Sequence, residues 1–252
     1  MDIDNKNIKE ERKNLIDLVL GAYLSIRHPI AYVSMPITSG KILYDVLEKK
    51  GVRNIEELIK QDPDSLYNDI IKPNVEMGIM AADNLDTKLP PIAPSVFEAK
   101  KFRWSQEDYM SLWLKVIEER AEEMHMTDGW EYSNGGVQEF VKAMQMQFLF
   151  AHVPNASPEF YQRMRKITVF DLNKKELRLD DGFKKIKESI LDLNKRGFPH
   201  NSLRGSVRDL YNINGFFISH GTSASEWHMH MKYYLDFARL DKEMEEIINL
   251  KN

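Results

Sequence analysis

Carboxylates and histidines must carry any chemistry in this chain, because its sequence contains no cysteine. Disulfides, thiolate catalysis and cysteine zinc sites are thereby excluded. Three carboxylates stand where elements start or stop. Glu139 follows the glycine-rich run Ser133-Asn134-Gly135-Gly136, Asp108 follows Ser105 at the start of a helical pattern, and Asp128 closes a predicted strand. A carboxylate near a glycine-rich helix start sits among N–H dipoles that favour its ionised form, and the glycines let a ligand approach the backbone. The plainer reading of Glu139 is a solvated glutamate in the first helical turn. Asp108 has an equally simple alternative as the acid of a capping box opened by Ser105. His220, His228 and His230 form the only histidine group that suggests a metal. Residues two apart do not share a helical face and no nearby carboxylate pattern completes a site, so neither a metal nor a cofactor is expected.

Other polar groups could bind rather than react. Thr38, Ser39 and Gly40 precede a predicted helix and could offer N–H and hydroxyl groups to a ribose or phosphate. Lys41 follows, but the spacing of a phosphate-binding P-loop is missing. Arg103 and Trp104 could pair with a phosphate and stack on a base, or be a surface arginine beside a core tryptophan. Composition bounds the partners further. A formal charge of −4 and a pI near 6.0 give no global attraction for a polyphosphate backbone, so a nucleic-acid polymer is not expected, whereas a small anion needs only a local site. The N-terminal run MDIDNKNIKEERKN is charged where a signal peptide needs an apolar core, and no apolar run approaches a membrane span. These features predict a cytoplasmic protein with no membrane partner.

The elements that must position these residues follow from periodicity. Asn7 to Ile26 carries Ile8, Leu15, Leu18, Val19 and Leu24 at mostly helical spacing, which predicts a helix used for packing or dimerisation. Ile30 to Met35 is a short β-prone run stopped by Pro36, and Lys41 to Lys50 is a helix closed by Gly51. Further helices are expected over 54–60 and 63–82. The proline-rich run from Leu89 to Phe97 suits a loop flanking a site, not a central strand. A helix from Ser105 to Glu123, a strand from Met124 to Trp130, a turn over Tyr132 to Gly136, a helix from Val137 to Phe150 and a strand from Ile167 to Phe170 follow. Alternation of this kind predicts an α/β fold with an open, mostly parallel sheet of the Rossmann or flavodoxin kind, flanked by helices, with ligands beyond the C-terminal strand ends. The charged remainder, residues 172–252, reads as a mainly helical C-terminal extension of the domain formed by residues 1–171, with helices over 181–195 and 223–249.

Two stretches together resemble the signatures of the nucleoside 2-deoxyribosyltransferase-like superfamily of N-glycosidic-bond enzymes. These are Tyr32-Val-Ser-Met-Pro-Ile-Thr-Ser-Gly40 and Asp128-Gly-Trp-Glu-Tyr-Ser-Asn-Gly-Gly-Val-Gln-Glu-Phe-Val-Lys-Ala143. In that family a first strand ends in a small-residue or proline loop, and a later strand ends in a glycine-rich turn before a helix bearing a glutamate nucleophile and a downstream alanine. The resemblance spans residues 30 to 170 and implies that Glu139 attacks the anomeric carbon as the base leaves, through a covalent glycosyl-enzyme. It implies that Asp108 binds sugar hydroxyls or helps protonate the leaving base. Asp128 is a second candidate, although the family's aspartate there is often structural. Substrate-binding roles then fall to Met35, Pro36, Thr38, Ser39 and Gly40 after the first strand, to Ser133, Asn134 and Gly135 before the helix, and to Arg103 and Trp104.

The expected activity is hydrolysis or transfer at the N-glycosidic bond of a nucleoside or nucleotide, by a homodimer or higher homo-oligomer that completes its pocket with a neighbouring subunit. Two rival readings are a non-catalytic nucleotide-binding or sensing module on the same fold and an oligomeric interaction protein built around an inert core.

Overall fold

A computed structural model of the chain describes residues 2–94, 105–152, 167–219 and 239–250. Helix α1 (Asp2–Leu24) leads into β1 (Ile30–Ser34), α2 (Lys41–Lys50) and α3 (Ile55–Gln61); a π-helical stretch, Leu66–Ile71, continues into α4 (Lys72–Asp83). The short strand β2 (Pro91–Ile92) precedes α5 (Gln106–Arg120), β3 (Ala121–Met126), a 3₁₀ turn (Trp130–Tyr132) and α6 (Asn134–His152). Strand β4 (Thr168–Asp171), α7 (Leu179–Arg196), α8 (Asn201–Ser219) and a helical stretch over 239–248 complete the described chain.

The four strands form one all-parallel sheet in the order β2-β1-β3-β4. Strand β1 is buried along its whole length, as a central parallel strand covered on both faces must be. Its alternation splits the molecule into two layers. Tyr32 lies in the larger core with Leu112, Trp113 and Val116 of α5 and Val137 and Phe140 of α6, whereas Val33 and Met35 pack with Ala93 against Ala81 and Ala82 of α4. Proline in β2 is tolerated because that strand lies at the sheet edge, where a missing N–H costs no ladder bond. The run around it, expected as a loop, therefore contributes a two-residue strand.

Three boundaries depart from the sequence expectation. Helix α5 stops at Arg120 and β3 begins at once with Ala121, so the strand lies earlier than Met124–Trp130 and Trp130 belongs to the following turn. The parallel pairing of Met124 and Met126 with Tyr32 and Ser34 of β1 wins over the helical reading of Glu122 and Glu123. Helix α6 starts at Asn134, so the glycine pair forms its first turn. A Cβ on Gly136 would lie 2.9 Å from the Trp130 carbonyl oxygen, so this close approach of helix to turn needs glycine. Helix α8 was not anticipated, and most of the helix expected over 223–249 lies outside the described residues.

Residues Leu15, Ile16, Val19, Leu20 and Tyr23 of α1 pack on the core, and Arg120 of α5 hydrogen-bonds the Leu24 carbonyl, so the stripe of α1 is used within the chain. Leu18 is the exception, 70% exposed. The C-terminal helices share the same core through Phe183, Ile186, Ile190 and Leu193 of α7 and Leu203, Val207 and Leu210 of α8. They also hold the site from behind. Ser189 donates to the Glu131 carbonyl at 2.8 Å and Tyr132 donates to Asp192 at 3.2 Å, which pins the 3₁₀ turn ahead of α6. No helix among the described residues is long and apolar enough to cross a membrane.

Candidate functional site

The loops after β1 and β3 meet at the C-terminal ends of the strands. The N–H and hydroxyl of Thr127 both donate to the Ser34 carbonyl, at 3.0 and 3.1 Å, and carry the β1–β3 pairing beyond the sheet. The loop from Pro36 then curls on itself at Gly40, whose φ of 82° is left-handed and whose Cβ would lie 2.6 Å from the Pro36 ring. Buried Asn74 of α4 fastens this loop, donating its amide N–H groups to the carbonyls of Ile37 and Ser39 at 3.0 and 3.1 Å.

Ser133 caps α6 by accepting the Gly136 N–H at 3.3 Å, and its hydroxyl shares a 2.8 Å hydrogen bond with that of Ser39. The two resembling motifs are thus joined by direct contact. Between them opens a cleft of about 560 Å³, its open mouth included. Met35, Ile37, Thr38 and Ser39 line it from the first loop, and Ser133, Gly135, Gly136 and Glu139 from the start of α6. Pro94 closes one side, and α5 supplies Gln106, Tyr109, Met110 and Trp113.

Glu139 sits in the second turn of α6 with only 5% of its surface exposed, so the solvated reading fails. Its Oε1 accepts a hydrogen bond from the Tyr32 hydroxyl at 2.6 Å and its Oε2 one from the Ser34 hydroxyl at 2.5 Å. Both donors come from alternate residues of β1, which share one face of the sheet. Short bonds of this kind favour the carboxylate. Burial opposes them and wins, pushing the Glu139 carboxyl up to about 7. Burial and the Glu139 carboxylate hold the Tyr32 phenol well above its ordinary range.

The structure gathers only some of the expected site residues. Thr38, Ser39, Met35, Ser133, Gly135 and Glu139 line the cleft; Pro36 and Gly40 shape its loop from behind. Asn134 lies at the helix start without lining it. Asp108 is held in the capping box, its carboxylate accepting the Ser105 N–H at 2.8 Å and hydroxyl at 2.9 Å, and it does not line the cleft. Asp128 is exposed in the turn after β3 and is likewise outside the lining. Arg103, Trp104, His220, His228 and His230 lie outside the described residues. Among the described residues no three histidine or carboxylate side chains gather as a metal site.

Sequence reasoning assigned no role to Tyr32, Ser34, Asn74, Tyr109 or Trp113. A signal existed for the first two: hydroxyls at alternate positions of a strand buried on both faces need a partner. Comparison with protein-family models, curated proteins and solved structures finds no match to the chain.

Proposed function

We propose that this protein cleaves the N-glycosidic bond of a nucleoside or nucleotide, with Glu139 as the nucleophile that takes the sugar before water or a second base captures it. The observation that carries the reading is the Glu139 carboxylate, buried at the cleft and gripped on both oxygens by Tyr32 and Ser34. A carboxyl held near neutrality is ionised in a large fraction of molecules at neutral pH and poorly solvated, which suits covalent attack on an anomeric carbon. The tyrosine and serine fix its direction, and the aromatic side chains of Tyr109 and Trp113 give a base or sugar a surface to lie on. Support also comes from the contact between the two motifs that resemble the deoxyribosyltransferase-like superfamily. Asp108 and Asp128 take no part in this reading, since neither lines the cleft. A cytoplasmic homo-oligomer belongs to it, as in the resembled family, although the packed stripe of α1 supplies no separate reason for assembly.

The test is a panel of nucleosides and nucleotides incubated with the wild-type protein and with Glu139→Gln, with free base read by chromatography. Base release that depends on Glu139 is expected. Wild-type protein that binds members of the panel without releasing base would replace the enzyme with a binding module.

A further inference from the structure

A glycine inside a helix needs a reason, because alanine would hold the helix better. Gly78, buried in α4, has one: a Cβ built there would collide with the Met35 sulfur and lie 2.5 Å from its Cε and 3.2 Å from its Cγ. The tail of Met35 lies in a recess that a bare backbone leaves open. Asn74, one helical turn earlier on the same face of α4, holds the carbonyls of Ile37 and Ser39. One face of α4 therefore positions both the loop after β1 and the side chain at its root, and Met35, Ile37 and Ser39 all line the cleft.

Met35 is where the back layer of the molecule reaches the cleft. Val33, Ala93, Ala81 and Ala82 pack with it on the far side, where a dense interior gives little, and its open side lines the cleft. The lining divides by chemistry. Thr38, Ser39 and Ser133 offer hydroxyls that suit a sugar, whereas Met35, Pro94, Tyr109 and Trp113 offer the apolar and aromatic surface that suits a base. We infer that Gly78 and Met35 together determine the size of the base that the site accepts: Gly78 withdraws the Met35 tail, and the room this gives is room for the larger base. The inference rests on the glycosidic reading above and deepens it, adding a positioning residue that acts through Met35. With alanine at 78 the Met35 tail must retreat by roughly 1 Å or more, since non-bonded carbon atoms settle at about 3.5–4.0 Å. A methionine tail is flexible enough to make that move, and the cleft is the side that yields.

The test compares wild type, Gly78→Ala, Met35→Ala and the double variant on deoxyadenosine and thymidine and on their ribose counterparts. The readout is kcat/KM where base is released, and the competition constant against a released substrate where it is not. Gly78→Ala should weaken use of the purine at least about tenfold more than use of the pyrimidine, the discrimination that a methylene's worth of room gives in an apolar pocket. Adding Met35→Ala should erase that difference, because the displaced tail is gone. Met35→Ala alone should shift the ratio toward the purine. An equal loss on both bases, a shift between ribose and deoxyribose instead, or a loss that Met35→Ala does not relieve overturns the inference and leaves the glycosidic reading in place. If Gly78→Ala does not fold, an unchanged purine-to-pyrimidine ratio in Met35→Ala overturns it alone. Wild-type protein that releases no base from any member of the wider nucleoside and nucleotide panel overturns both.

Discussion

Two charged groups in this molecule receive opposite treatment. Arg196, at the end of α7, is largely covered but surrounded by anions: one Nη atom contacts Asp45 and Glu48 at 2.9 Å each, and the other contacts Asp192 at 3.1 Å. Its guanidinium also lies 5.4 Å from the ring centre of Phe198. These contacts clamp α7 to α2 at the back of the fold. Glu139, at the front, is buried more deeply and among the described residues is hydrogen-bonded by two hydroxyls. A charge that serves architecture is neutralised where it stands, whereas a buried carboxylate held by hydroxyls at the floor of a cleft keeps a raised proton affinity, which is what the proposed function draws on.

The largest effect expected from breaking this contrast is on activity. Glu139→Gln keeps the shape and removes the charge, and should lower base release by orders of magnitude while substrate still binds; full turnover would refute the nucleophile. The same substitution should alter stability in the opposite sense. Burial raises the carboxyl from 4.5 to about 7, so between those values the folded chain holds a proton that the unfolded chain has lost. Unfolding free energy must then fall as pH rises through this window, by about 3 kcal/mol in all for a shift of this size. Denaturant curves for Glu139→Gln at about pH 5 and about pH 8 should lack this fall and should show the variant at least as stable as wild type at the higher pH.

At the other pole, Arg196→Ala should cost about 2 kcal/mol, since it strands one half-buried and two exposed carboxylates and removes packing on Phe198. Stability measured by denaturant should show a smaller penalty at high salt, because part of the effect is screened. Asn74→Ala should cost about 1 kcal/mol and raise KM more than it lowers kcat, because it frees the loop that carries Ser39 without touching Glu139. The smallest expected effect belongs to Tyr32→Phe. Removing a donor to the carboxylate should move the acidic limb of the pH–rate profile upward, and an unmoved limb would separate Tyr32 from the ionisation of Glu139.

Much of the scaffold was legible because its causes are local. Apolar periodicity from Ile42 to Leu47 and the left-handed Gly51 define α2, and Ser105 with Asp108 marks the start of α5. Alternation of such segments was enough for a parallel sheet, and with the two motifs it was enough to place Ser39 and Glu139 on one cleft. The boundary between α5 and β3 was not legible, since Glu122 and Glu123 read equally well in a helix until the neighbouring strands claim Met124 and Met126. Nor was the state of Glu139. Tyr32 and Ser34 lie 107 and 105 positions away in the chain, and only the packing of β1 against α6 turns a helical glutamate into a dehydrated, doubly bonded carboxylate. The residue types and their order along the chain belong to the sequence alone. Burial, and with it the raised proton affinity, came from tertiary structure, because desolvation depends on every neighbour that excludes water and no local pattern encodes that set.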